Sequence, residues 1–285
     1  MEFIITRDFH DVRLDRFVRQ KYREIPLTGI FRLIRKGRIR INGKKKKQDY
    51  RLQENDVVRV DISTSPSAAK SLVRLSPDQE KQATEAIVFE DNNIVLCNKP
   101  PGLAMHRGSG HEFGLVELLQ SYSKNPKFTF VNRIDKATSG LVIGAKNLVT
   151  SRKLSELFRQ QAIEKQYAIM VDGLVAQDRF TITSFLKKED DRVEEYTNDN
   201  DGAKKAISSF SVVRRYKNTT LLEARLLTGR THQLRVQLAK RNHPIVGDMK
   251  YGNRRAQNML LFSQRVVIPA FNLDVSLPVP EYFHR

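Results

Sequence analysis

Arg133, Asp135 and Lys136 fall close together in FVNRIDKATSGLVIGAKN, just ahead of an apolar run that reads as a buried strand. A carboxylate at the lip of a strand, beside two cations, is favoured in its charged form. Held there by the small-residue turn Thr138-Ser139-Gly140, it suits a nucleophile or a general base. On spacing alone, a surface ion pair in a loop is the simpler reading of the same trio. Tyr167 stands in EKQYAIMVDG, where period-two alternation puts it on one face with Ile169 and Val171; by itself it reads as an ordinary strand aromatic. Arg230, His232 and Arg235 share GRTHQLRVQLAKRN, which reads as a helix opened by Thr231, with His232 as a helix-start residue. Lys99 precedes Pro100-Pro101-Gly102. GDMKYG reads as a turn, and GSGHEFG lacks the preceding strand of a dinucleotide-binding unit.

The elements that must position these residues are short and mostly extended. IVFEDNNIVLCNKPPG gives two strands around an Asn-Asn turn, and SGLVIGAK a near-continuous buried strand. NLVTSRKLSELFRQQ is an amphipathic helix capped by Asn147, with Leu154, Leu157 and Phe158 on one face. KQYAIMVDG, AISSFSVVRRY and TTLLEARLLTG alternate as half-buried strands. Strands outnumber helices without regular βα alternation, so the fold class is α+β with a largely antiparallel sheet. Ahead of this lies a different unit. Leu14, Phe17 and Val18 recur at helical spacing, as do Ile30, Leu33 and Ile34 after Thr28 as N-cap; GRIRING then enters a turn at Asn42-Gly43, and Val57, Val58 and Val60 form a second strand. Residues 1–62 thus read as a helix-helix-strand-turn-strand domain, residues 63–82 as a Ser- and Pro-containing linker, and residues 83–285 as the larger domain.

The chain carries 50 Lys and Arg against 32 Asp and Glu, a net charge of +18. Fourteen of those cations, with only Asp15 and Glu24 opposing them, lie between Arg13 and Lys47. That density suits a phosphate backbone, from which bound cations release counterions. Arg32, Arg35, Lys36, Arg38, Arg40, Lys44 and Lys45 are the candidates for phosphate contact. No apolar run approaches the roughly 20 residues of a membrane span, and the N-terminus reads as neither signal nor transit peptide, so a cytoplasmic protein is expected. One cysteine, Cys97, excludes a disulfide within the chain.

RIDKATSGLVIGAK resembles the signature of the RluA-type pseudouridine synthases, an Arg-Leu-Asp, a variable pair, Thr-Ser-Gly and an apolar strand. NKPPGLAMHRGSG, EKQYAIMVDG and GRTHQLRVQLAKRNHPIVGDMKYG resemble three further segments of that family, in the same order. The first 62 residues resemble the RNA-binding domain first seen in ribosomal small-subunit protein S4. The resemblance implies a mostly antiparallel mixed-sheet catalytic domain behind a small α/β S4-like domain. It implies that Asp135 attacks a flipped-out uridine at ribose carbon 1′ or ring carbon 6, with Arg235 paired to Asp135. Tyr167 would pack on the uracil or take the proton from carbon 5. Arg133 would enter the RNA helix as the base leaves, and Arg230, His232 and Lys99 would contact RNA. No metal or other cofactor is implied. The implied partner is RNA, 23S rRNA or an assembling large subunit, met by a monomer; a tRNA substrate, or a non-catalytic assembly factor, is the alternative. The chain departs from the family at Asn132 and Gln237, where histidine is usual; both keep hydrogen-bonding capacity and lose a titratable ring.

Overall fold

The computed structural model describes all residues except 64, 65, 67–71, 109–112, 200, 201, 254, 284 and 285. Most of the expected linker's Ser-rich half and the middle of GSGHEFG therefore lie outside the described residues.

In the N-terminal unit, β1 (Glu2–Ile4), α1 (Leu14–Lys21), α2 (Leu27–Arg35), β2 (Ile39–Ile41) and β3 (Val57–Val60) build a two-helix layer on a three-stranded antiparallel sheet of order β1-β3-β2. The expected apolar spacing is what packs: Leu14, Phe17, Val18, Ile30 and Ile34 are buried against Ile39, Ile41, Val58 and Val60, each such burial contributing about 1.5–3 kcal/mol. Asn42 and Gly43 both take positive φ (49° and 74°), and Ile41 and Lys44 exchange backbone bonds across them, the mirror-image turn that Asn-Gly favours. Two expectations are corrected. β1 adds a strand that the sequence pattern did not announce, and α2 opens after Pro26, leaving Thr28 inside the first turn. Pro26 holds φ at −62°, and its carbonyl takes the first helical bond, from Ile30.

The expected linker ends on a helix, α3 (Pro77–Ala86). Ser76 and Gln79 form a reciprocal capping box and Pro77 starts the first turn, so Ser-Pro-Asp-Gln marks a helix start rather than loop. There follow β4 (Ile87–Glu90), β5 (Ile94–Lys99), α4 (Leu115–Tyr122), β6 (Thr129–Phe130), β7 (Ser139–Ala145), α5 (Leu148–Arg159), β8 (Glu164–Asp172), β9 (Arg179–Glu189), β10 (Arg192–Tyr196), β11 (Lys204–Arg215), β12 (Thr219–Leu226), α6 (Gln233–Ala239), β13 (Leu261–Ile268) and β14 (Leu273–Ser276). One large sheet runs β10-β9-β11-β12-β8-β13-β7-β5-β4, with β14 on β13 and β6 on β7. All its pairings are antiparallel except β13 with β7. The expected α+β class with a largely antiparallel sheet holds.

β7 is buried at every residue because both faces of the sheet are covered there. Val142 faces α3 and α4, whereas Leu141 and Ile143 face α5. Cys97 lies in the first of these cores, and burial pushes its thiol up to about 12, well out of reactive range. Asn147 caps α5 as expected, accepting from the Thr150 amide at 2.8 Å. α6 opens at Gln233 and not at Thr231, and His232 sits at its N-cap in the left-handed region.

Candidate active site

Asp135 belongs to the loop that leads into β7, and that loop is tied down at several points. Asn132 accepts the Ile143 amide at 2.7 Å, so the asparagine that replaces the family's histidine pins the loop to the strand behind it. The Lys136 carbonyl accepts from Gly102 N–H at 2.9 Å and from Lys99 Nζ at 3.0 Å. Lys99 also donates to the carbonyls of Pro100 and Leu103 at 2.8 and 2.9 Å and has no exposed surface. The expected RNA contact of Lys99 is therefore corrected: its three protons go to backbone carbonyls, and no phosphate reaches it. Burial pushes its ammonium down to about 7, against the pull of Asp135.

α6 is a short helix buried almost all round. Leu234 and Leu238 enter the core under β8 and β12. One turn apart, Gln233 and Gln237 both bond Ser208; Gln233 adds the Ile207 carbonyl, and Gln237 adds Ser184 and the Ala206 carbonyl. Gln237 thus replaces a family histidine by an amide that fastens α6 to β9 and β11. Fixed in this way, Arg235 donates from Nη1 to Asp135 Oδ2 at 2.8 Å, the pairing the resemblance implied. Its fork, however, engages another carboxylate. Nε and Nη2 reach the two oxygens of Asp248, each at 2.8 Å. The Tyr251 ring lies 5.2 Å from the guanidinium carbon.

Asp248 and Tyr251 are the residues that sequence reasoning missed. GDMKYG is a turn, as expected, because Asp248 Oδ1 accepts the amides of Lys250 and Tyr251. The same carboxylate is almost wholly buried, and such a group needs a cation. Burial opposes its ionisation, yet the bonds from Arg235 and the two amides outweigh that and hold its carboxyl below the ordinary range.

Tyr167 is paired across the sheet with Ala224 on β12 and Ser263 on β13, and packs with Ile169 and Val171 as expected. Burial pushes its hydroxyl up to about 12, partly offset by a hydrogen bond with Ser263 and reinforced by the charge of Asp135. Asp135, Tyr167, Arg235 and His232 meet in one open cleft of about 1840 Å³. Among the described residues lining it, ten are Lys or Arg and two, Asp135 and Glu164, are acids. Arg133 and Arg230 are exposed on that lining. The seven candidates from Arg32 to Lys45 are exposed too, but on the N-terminal unit and not at this cleft.

Residues 93–240 match the RNA pseudouridylate synthase family, and residues 12–58 match the S4 domain. The chain belongs to the RNA pseudouridylate synthase family. It is similar to ribosomal large subunit pseudouridine synthase C of Vibrio vulnificus (strain CMCP6), with 34% identity over 97% of this chain and 89% of the relative. The corresponding protein of Haemophilus influenzae (strain ATCC 51907 / DSM 11121 / KW20 / Rd) is also 34% identical, over 96% of this chain and 86% of the relative. Among solved structures, human RNA pseudouridylate synthase domain containing 4 superposes with a TM-score of 0.60 at 23% identity, covering 72% of this chain and 92% of that one. That likeness is one of fold. As a member of this family the chain is an RNA pseudouridine synthase, and its mixed, antiparallel-dominated sheet is the fold of its relatives.

Proposed function

We propose that the chain isomerises uridines in large-subunit ribosomal RNA, with Asp135 as its nucleophile. The observation that carries this reading is the one-sided restraint of Asp135. Arg235 holds Oδ2, while Oδ1 takes no hydrogen bond from any described residue and belongs to the wall of a strongly basic cleft. An anchored carboxylate with one oxygen open is arranged to attack a group brought into that cleft. The relatives named as ribosomal large subunit pseudouridine synthases support the substrate.

Chemistry on a stacked base requires extrusion first, and exposed Arg133 stands beside Asp135 to fill the gap in the RNA helix. Attack by Asp135, at carbon 1′ or carbon 6, leads to cleavage of the glycosidic bond. The uracil turns within the cleft, carbon 5 bonds to ribose carbon 1′ and Asp135 leaves as a carboxylate. Carbon 5 then gives up its proton to solvent in the open cleft and ring nitrogen 1 takes one up, so substrate and product are isomers. Tyr167 is a buried phenol that keeps its proton at neutral pH, which favours packing against the uracil over accepting the carbon 5 proton. Residues 1–62 form the domain that docks RNA, the segment from residue 63 to Ser76 connects it, and α3 with the residues that follow carries out the reaction. The protein acts as a monomer in the cytoplasm. Among the described residues, no helix is long and apolar enough to cross a membrane.

Asp135→Asn keeps the shape of the side chain and removes the attacking charge. Pseudouridine formed in rRNA and tRNA transcripts should fall by at least about a thousandfold, with RNA affinity kept within a few-fold. Turnover above a few per cent of wild type would remove Asp135 as nucleophile. Modification of the tRNA in preference to the rRNA would overturn the substrate.

A further inference from the structure

His232 lies where the chain from β12 turns into α6, and its conformation calls for an explanation. Its backbone has φ 53° and ψ 21°, a left-handed geometry that residues other than glycine keep only where their surroundings impose it. Its Nδ1 is 2.8 Å from the Tyr251 hydroxyl. That hydroxyl oxygen already accepts the Val193 amide at 3.0 Å, and donating its own proton to Nδ1 fills both of its hydrogen-bonding roles. With Nδ1 an acceptor, the imidazole carries its hydrogen on Nε2. Nε2 points at Asp135 Oδ2 from 3.7 Å, toward the same oxygen that Arg235 holds.

We propose that His232 is a positioning residue for Asp135, a neutral imidazole that offers Nε2–H to Oδ2 alongside Arg235 so that Oδ1 remains the attacking oxygen. The proposal rests on Asp135 being the nucleophile. The gap of 3.7 Å is wider than a hydrogen bond, and it closes when the carboxylate is pressed back by an entering uridine, as such contacts tighten on substrate binding. Tyr251 then serves twice: its hydroxyl sets the tautomer of His232, and its ring backs the guanidinium of Arg235.

The groups around the imidazole fit a neutral donor. Asp135 faces it from the loop before β7, Arg235 from α6, and Asp248, Lys250 and Tyr251 from the turn that follows. Burial lowers its pKa below the ordinary histidine value, Asp135 and Asp248 pull it back, and Arg235 and Lys250 push it down again. Acidification turns His232 into a second cation on Oδ2, which ties the carboxylate into an ion pair and blunts its attack.

Single-turnover rates on a large-subunit rRNA transcript, from about pH 5 to about pH 9, test this. His232→Ala should lose at least about tenfold in rate with RNA affinity within about twofold. His232→Gln supplies an N–H without titrating; it should stay within about fivefold at neutral pH and carry its acid limb to lower pH. Tyr251→Phe, which frees Nδ1, should fall between the two. A Gln variant whose acid limb coincides with that of wild type would overturn the proposal, as would an Ala variant that loses affinity in step with rate. Should the Ala variant melt at assay temperature, the Gln and Phe variants still decide. Asp135→Asn measured alongside separates the two failures: if it is dead while the His232 variants behave as wild type, only the role of His232 falls.

Discussion

Arg235 is useful to Asp135 because Asp248 has already taken its fork. A buried guanidinium bound only to Asp135 could draw that carboxylate into a bidentate pair and occupy both of its oxygens. With Nε and Nη2 engaged by Asp248, Arg235 reaches Asp135 through Nη1 and touches one of its oxygens. Asp248 also supplies stability with a definite pH dependence. Folding lowers its pKa, so its contribution is complete above the ordinary carboxylate value of about 4 and is lost as the pH falls through the lower folded value. Asp248→Asn keeps the acceptor for the amides of Lys250 and Tyr251 but leaves buried Arg235 with Asp135 Oδ2 as its remaining anionic contact. At neutral pH, urea denaturation should show a loss on the order of 3–5 kcal/mol. Below about pH 4 the wild type should lose stability more steeply than the variant. The modification rate should fall as well, because a freed fork can rotate onto Asp135. Matching urea midpoints at neutral pH would show that Asp135 alone satisfies Arg235.

Among elements, the decisive contact is the parallel seam of β7 and β13. It sets the Asp135 loop beside β8, the strand that carries Tyr167, because β13 pairs with both strands. Gly140 makes the seam possible. At φ 106° a Cβ would stand 2.3 Å from the Ser263 carbonyl oxygen and 2.6 Å from its nitrogen, and backbone cannot yield as a side-chain tip can. Gly140→Ala should therefore yield insoluble protein, or a fold with a Tm lower by at least about 10 °C. A soluble, active Ala variant with unchanged Tm would mean that the seam is loose. Local chemistry made part of this legible beforehand: the Asn-Gly turn, the Asn147 cap, the buried run of β7, and the Asp135–Arg235 pair, which came from the resemblance. What escaped was decided by partners distant in the chain. LFSQRVVI of β13 neither alternates cleanly nor announces a parallel neighbour, and it was not expected as a strand. Lys99 has the composition of a surface cation, and only the loops folded around it turn it into a buried clamp. Asp248 concealed its charge role behind a turn that was itself correctly expected.

At the scale of the whole molecule, the proposed function has the N-terminal unit and the cleft divide the labour of holding RNA. They touch where residues 8–10 meet α5 and the loop before β6: Lys127 of that loop pairs with Asp8 at 2.5 Å, and Arg152 of α5 donates to the carbonyls of His10 and Asp8. Such a small, largely polar contact contributes little affinity of its own. On the proposed function, the N-terminal unit acts chiefly through its cations. Arg32, Arg35, Lys36, Arg38, Arg40, Lys44 and Lys45 are all exposed, on the end of α2, the turn after it, β2 and the Asn42-Gly43 hairpin. Arg38 is the least available, since it pairs with Asp61 at 3.0 Å, although that pair is exposed and screened by salt. Removing one cation from a phosphate should reduce the slope of log affinity against log salt by roughly 0.7–0.9. Replacing Arg32, Arg35, Lys36, Lys44 and Lys45 together by glutamine should thus flatten the slope by about 3.5 to 4.5 if all five meet phosphates, and weaken binding most at low salt. The single-turnover rate at saturating RNA should stay near wild type, because none of the five lines the cleft. An unchanged slope would place the RNA backbone elsewhere on the molecule. A fall in the saturated rate with a flattened slope would mean that the N-terminal unit also shapes the RNA presented to Asp135.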